Sequence, residues 1–303
     1  PEPDTNEYCL AAAMEELSGV EAPEYAQWMR TLVLEMARLT NLLRTVPGLG
    51  GTMGLGLGVQ WGVYMRDLLL DRFEELTGAR IYHMYIIPGG VRGKMPEGFK
   101  ERLLSNLKEI DDFSLRVKKL IFDNAVVKKR AVGTGYVDPS WVDRFGVVGP
   151  NARAAGVNRD VRKDYPYLKY AELDFEPYVD ENKGSDVYSR FWVRYMDMIN
   201  TVALIRQILD KMPNDGEILA RIPNALHWSI PKGQTYVRCE SSRGEYGFYA
   251  VSDGSEYPRR INLRGPSYTH AIALLEKLLV NANISDVSPI MVSLTTCPPE
   301  IER

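Results

Sequence analysis

The chain is poor in the residues that most often announce chemistry. Its 303 residues include three cysteines, Cys9, Cys239 and Cys297, and three histidines, His83, His227 and His270. Three widely separated thiols are too few, and odd in number, for a disulfide framework, so a reducing compartment is the simplest expectation. The histidines stand too far apart for metal-ligand spacing, and each reads as a structural residue. No apolar run approaches the roughly 20 residues that span a bilayer, so membrane association has to come through partners. A net charge of -3 gives no electrostatic footprint for nucleic acid. No Gly-x-Gly-x-x-Gly follows a strand, which excludes a nicotinamide site of the usual kind. No charged-then-apolar leader opens the chain, and it begins with Pro1 rather than Met, as a chain trimmed at its start would.

What is present is helical periodicity. The composition is 45% hydrophobic and 25% charged, enough apolar material for a sizeable core. Apolar residues recur at helical spacing over 6–17 and 23–45, where Trp28, Leu32, Met36, Leu39 and Leu43 form one stripe. The glycine-rich stretch 46–58 neither follows a strand nor ends in Lys-Ser/Thr. It reads as a close-packing or cavity-lining segment rather than a phosphate cradle. Helical spacing resumes over 61–76, and Pro88-Gly89-Gly90-Val91 is a sharp turn that presents Arg92. The stretch 96–129 reads as one long amphipathic helix with a solvated Lys and Glu face. After irregular chain to Val179, a helix is expected over 185–212, capped by Ser185 or Asp186. Segments 234–239 and 245–251 read as a hairpin turning at Arg243-Gly244, with a third strand over 258–264 and a last long helix over 268–280. The expected fold is mainly α with a small antiparallel β portion, in a single domain over 1–303.

The tail reads Thr295-Thr296-Cys297-Pro298-Pro299-Glu300-Ile301-Glu302-Arg303. Cys297 and Glu300 stand at the spacing of a Cys-x-x-Cys metal pair, with a carboxylate in place of the second thiol. A thiolate is soft and suits nickel, iron or Fe–S chemistry, whereas a carboxylate is hard, so the exchange weakens any soft-metal centre. A lone Cys is also commonly a small buried hydrophobe, and the tail by itself leaves both readings of Cys297 open. Cys9, among alanines, and Cys239, in the hairpin, read as core packing. Ser252-Asp253-Gly254-Ser255 reads first as a turn.

Taken in order, a series of segments carries a resemblance. They are Asn6-Glu7 through Glu15, Gln27-Trp28-Met29-Arg30 with Glu35, Arg38 and Asn41, Gly78-Ala79-Arg80, and Pro88-Gly89-Gly90-Val91. Asp160-Val161-Arg162-Lys163 with Pro166-Tyr167, Gly244-Glu245-Tyr246-Gly247, Val251-Ser252-Asp253-Gly254-Ser255 and Glu302-Arg303 continue it. Together they resemble the large subunits of the NiFe-hydrogenase and respiratory complex I superfamily, in its membrane-bound, energy-converting branch. The resemblance runs from end to end and implies the helical bundle of a NiFe-hydrogenase large subunit. It also implies a further β-rich part, with a hydrogenase's first cysteine pair, before the position of Pro1. In hydrogenases of this family the closing motif supplies two thiolates to nickel, and here only Cys297 matches. In the complex I relative, the forty-nine-kilodalton subunit, both closing cysteines are absent, an Asp stands where Thr52 does and a His where Arg92 does. The chain is more similar to the large subunits of archaeal membrane-bound sulfane-sulfur reductases, which keep part of the cysteine set.

This resemblance implies catalytic roles for Cys297, Glu300, Arg92 and Arg162, with Arg159 and Asp253 near the same cavity. It implies no cofactor bound by this chain and an Fe–S cluster in an adjacent small subunit. The implied partners are that Fe–S subunit and membrane-arm subunits, which hold the chain at the cytoplasmic face of the membrane. Electrons from the cluster would reduce sulfane sulfur or polysulfide, coupled to ion translocation. Quinone reduction and a non-catalytic scaffold are the alternatives. A thiol near guanidinium groups is favoured as a thiolate, which suits the first reading. For Arg162 the alternative is a buried ion pair with Asp160 that holds a loop.

Overall fold

The computed structural model describes residues 2–182, 184–222 and 228–302, so His227 and Arg303 lie outside the described residues. Helices α1 (Pro3–Ser18) and α2 (Glu24–Thr45) form where the periodicity puts them. Nearly every side chain of α2 from Tyr25 to Leu43 is buried, the expected stripe and also Arg30, Glu35, Arg38 and Asn41. A helix wrapped on all sides must find internal partners for such polar groups, and this requirement organises the molecule.

Helices α3 (Gly48–Thr52) and α4 (Gly56–Thr77) take up most of the glycine-rich stretch. On α4, a Cβ at Gly62 would lie 2.4 Å from the Leu43 carbonyl oxygen and 2.5 Å from Pro47 Cγ, so only glycine lets α4 rest on the end of α2. A short hairpin of β1 (Ile86–Ile87) and β2 (Gly90–Val91) follows. Arg30 pins it by donating to the Gly90 and Ile87 carbonyls at 3.1 and 2.8 Å. Helix α5 (Phe99–Val117) carries the amphipathic pattern, but the expected continuous helix to Lys129 is broken. A π turn over Lys118–Phe122 sets the Phe122 ring against Trp192 and Tyr195. Asn124 then caps a separate α6 (Ala125–Ala131), accepting from the Val126 and Val127 N–H groups. The cap and the buried ring outweigh the continuing Lys and Glu pattern.

The stretch expected to be irregular contains the short helices α7 (Ser140–Arg144), α8 (Gly149–Ala154) and α9 (Val161–Asp164). Helix α10 (Val187–Lys211) is capped by Asp186, whose Oδ1 accepts from the Ser189 N–H at 2.8 Å, and packs along α2. Strands β3 (Gly233–Ser241), β4 (Gly244–Ser252) and β5 (Arg260–Arg264) form an antiparallel sheet in that order, which α1 covers. The β3–β4 turn is Ser242-Arg243. Its tip is pressed on the start of α8: a Cβ on Gly149 would lie 2.3 Å from Gly244 Cα, and Gly244 itself has φ +128°.

The helix expected over 268–280 is α11 (Pro266–Thr269), a π turn (His270–Leu274) and α12 (Leu275–Leu279) in continuity. It is not the last. Helices α13 (Val287–Leu294) and α14 (Pro298–Glu302) follow and carry the tail back into the protein. Buried apolar side chains from Tyr8 to Leu294 form one contiguous cluster. Among the described residues, no helix is long and apolar enough to cross a membrane.

Candidate active site at the terminal segment

Three buried arginines hold the approach to the tail. Arg190 donates through Nε and Nη2 to Ser293 Oγ at 2.9 and 2.8 Å. Arg194 Nη2 donates to Thr295 Oγ1 at 3.0 Å, and Arg243 Nε donates to the Thr295 carbonyl at 2.7 Å. Thr295 has φ +55°, a conformation that a β-branched residue adopts only when its surroundings enforce it. Past it, the Cys297 N–H donates to Ser267 Oγ at 3.1 Å, and the Ser267 N–H and hydroxyl donate to the Glu300 carboxylate at 2.6 and 2.8 Å. A Cβ on Gly265 would lie 2.3 Å from Glu300 Oε1, so glycine is what lets the carboxylate reach the first turn of α11. Cys297 and Glu300 are therefore brought together, with Ser267 between them.

Cys297 is 8% exposed, while both Glu300 oxygens are engaged by Ser267. The tail thus offers one soft donor and a carboxylate already used as a clamp. This donor set does not fit the two closing thiolates of a nickel–iron centre.

The electrostatics are one-sided. Arg190 and Arg194 donate otherwise to neutral acceptors, the Gly135, Ser185 and Arg190 carbonyls and Asn151 Oδ1. Burial pushes Arg190 down to about 10 and Arg194 to about 9, the latter also because Arg190 lies beside it. In the π turn, burial and then Arg194, Arg264 and Arg190 push His270 down to about 3, so it is neutral, and the Val148 N–H donates to its Nε2 at 3.3 Å. Arg44 is lowered by partial burial of its head, then by Arg243 and Arg66, while Cys297 and Glu2 act the other way. The described groups around the tail carry an excess of positive charge, which favours an anion.

The other expected site residues lie elsewhere. Arg162 is fully committed as a buried ion pair: it grips Asp160 through Nε and Nη2 at 2.9 and 2.8 Å and Glu35 through Nη1 at 3.0 Å. Arg92 follows β2 with an exposed side chain. Its hairpin is pinned at Arg30, about 16 Å along α2 from Asn41 at 1.5 Å per residue. Arg243, which does hold the tail, reaches Asn41 Oδ1 at 3.3 Å. The arginines that bond the terminal segment are Arg190, Arg194 and Arg243. Arg159 is exposed and pairs with Asp143, and Asp253 is an exposed turn residue accepting from the Ser255 N–H. Thr52 donates to the Leu49 carbonyl. His83 is bonded to Asp4 at 2.9 Å and stacked on Phe73, a structural role.

Two features escape a reading by motif. The buried thiols of Cys9 and Cys239 meet at 3.1 Å although 230 residues apart. Arg190 and Arg194 occupy inward positions of α10, in register with Val187, Phe191 and Met198. Cations at core positions of an otherwise apolar helical stripe were the available signal.

The comparisons with known proteins agree with this fold. The family described as respiratory-chain NADH dehydrogenase, 49 Kd subunit, matches residues 53–228 and 225–303. An NADH-quinone oxidoreductase subunit of Thermosipho melanesiensis is 42% identical, the alignment covering 100% of this chain and 82% of the relative. An F(420)H(2) dehydrogenase subunit of Methanosarcina mazei is 33% identical over 99% of this chain and 80% of its own length. A chain in the structure of the membrane-bound sulfane sulfur reductase, an archaeal respiratory membrane complex, superposes with a TM-score of 0.95 at 40% identity, covering 100% of this chain and 82% of that one. The expected mainly helical, hydrogenase-large-subunit-like fold is the observed one, and the chain belongs to the 49 kDa subunit family of respiratory-chain NADH dehydrogenases, a family of oxidoreductase subunits.

Proposed function

We propose that this chain is the acceptor-reducing subunit of a membrane-bound respiratory oxidoreductase and that its acceptor is sulfane sulfur or polysulfide. The observation that carries this reading is a single thiol, Cys297, on a tail held by buried cations, of which Arg190 and Arg194 have no carboxylate partner among the described residues while Arg243 shares Glu2 at 3.4 Å. A polysulfide is an anionic chain of soft atoms, so the field of Arg190, Arg194 and Arg243 attracts it and the thiol can exchange sulfur with it. Electrons arrive from an Fe–S cluster in a neighbouring small subunit, and the energy drives ion translocation by membrane-arm subunits. Attachment is peripheral, at the cytoplasmic face. Exposed Leu57, Trp61, Val63 and Tyr64 on α4, with Tyr82 and Met84 after it, support docking against such neighbours. The likeness to the sulfane sulfur reductase chain supports the acceptor.

Quinone reduction is the second reading, favoured by the name of the 42% identical relative. The purified complex, supplied with its electron donor, should reduce polysulfide and release sulfide while a water-soluble quinone is reduced slowly. The reverse preference would replace the first reading with the second.

A further inference from the structure

A second buried charged cluster lies on the other side of the β3–β4 turn, and its charges do not balance. Glu35, Asp160 and Glu240 face Arg38 and Arg162, all five at most 7% exposed. The nearby Arg153 is consumed by a bidentate pair with Asp197 at 2.6 and 2.8 Å. Asp160 has both oxygens on Arg162, and Glu35 Oε1 accepts from Arg162 Nη1 at 3.0 Å and the Tyr170 hydroxyl at 2.7 Å, with Arg38 Nε 3.5 Å away. Glu240 is the carboxyl left over. Arg38 Nη2 bonds its backbone carbonyl, not its side chain, at 2.5 Å. Among the described residues the side chain accepts only the Val161 N–H, at 3.2 Å on Oε2, and Oε1 is buried with no hydrogen-bond partner.

Three carboxylates against two guanidiniums leave one negative charge too many, and an unpaired buried carboxylate is more costly than its neutral acid. Glu35 Oε2 is likewise buried without a donor. A proton on Glu240 neutralises the cluster and removes the cost of an unpaired buried carboxylate. The groups that face Glu240 agree: burial and Asp160 push it up to about 8 against the pull of Arg38, Arg153 and Arg162.

We propose that Glu240 holds a proton at neutral pH and supplies it to the reduction carried out at the terminal segment. Glu240 stands three residues before Arg243, in the last residues of β3 before the turn, and Arg243 holds Thr295. Release of one sulfide from a polysulfide, S(n)2− + 2 e− + H+ → S(n−1)2− + HS−, consumes one proton. Glu240 gives that proton, becomes a carboxylate and is reprotonated from solvent, while the electrons come from the neighbouring Fe–S subunit. The destination of the proton rests on the function proposed above; its presence on Glu240 rests on the cluster alone.

Two measurements on the purified complex separate these parts. In pH-difference infrared spectra, the parent should show a protonated carboxyl C=O band that is lost as pH passes about 8, and Glu240→Gln should lack it. A parent without that band, or a variant that keeps it, overturns the proposal whatever the acceptor. In turnover with polysulfide, Glu240→Gln should be slower by about tenfold or more and lose the alkaline fall of the parent. An unchanged rate and pH profile overturns the role in the reaction. Glu240→Gln copies the neutral acid and should assemble at the parental level, whereas Asp160→Asn should not; equal loss of assembly in both would show Glu240 to be an ionised partner and overturn the assignment.

Discussion

Two buried charged regions flank the β3–β4 turn, and they are opposite in sign. Around the tail, Arg190 and Arg194 bond neutral acceptors and are pushed down by burial. In the cluster, Asp160 is held below the usual carboxylate range by Arg162, although burial opposes this, while Glu240 is pushed up to about 8. The same desolvation acts in both, and the sign of the unpaired group decides the outcome. One region offers positive charge to an anion, and the other stores a proton.

The largest expected effect breaks the second region. Asp160→Asn strips the bidentate partner from a buried arginine and should cost about 3–5 kcal/mol, read as loss of assembled complex and a lower melting temperature. Arg194→Met should cost less, because it removes a cation that has no carboxylate to leave behind. It should instead raise KM for polysulfide several-fold with little change in kcat. A larger loss of assembly for Arg194→Met than for Asp160→Asn would erase the contrast between the regions.

The pH dependence sharpens the comparison. His270 is pushed down to about 3 from 6.5, so its contribution to stability is present above 6.5 and is lost as pH falls toward 3, by up to about 1.4 kcal/mol per pH unit. Glu240 is raised to about 8 from 4.5, so its contribution is present below 4.5 and is lost as pH rises through 8. Thermal melts of the complex across this range should show an acid limb that His270→Gln flattens and an alkaline limb that Glu240→Gln flattens. Limbs unchanged in these variants would contradict the assignments.

The smallest effect concerns the thiol pair. Cys9 and Cys239 are 0% and 1% exposed, and burial and the contact with Cys9 push the Cys239 thiol well up, so both should resist alkylation in the native complex. Cys9→Ala and Cys239→Ala should each change turnover by less than about twofold, as expected of core residues. Rapid labelling of either in the folded complex would show that α1 separates from the sheet.

Much of this fold was legible because helical spacing, the Asp186 cap and the glycine that follows the β3–β4 turn are local signals. The break at Asn124 was not, since the Lys and Glu periodicity continues across it and only the burial of Phe122 decides it. At the site, Cys297 and Glu300 were legible from their spacing, but Ser267, which joins them, comes from a distant helix. Arg162 carried a family motif yet is spent on Glu35 and Asp160. Arg190 and Arg194 belong to no motif, and their importance comes from the partners they lack. Pairing over long sequence distance is what a single chain does not display.

The central claim, that an anionic sulfur acceptor is reduced at the one thiol of the arginine-held tail, is tested most directly by Cys297→Ser. The hydroxyl keeps the shape and removes nearly all nucleophilicity near neutral pH. The complex should assemble normally and its polysulfide turnover should fall to background, with Glu300→Gln producing a smaller loss. Reduction of polysulfide by the Cys297→Ser complex at close to the parental rate would contradict the claim and leave quinone as the better acceptor.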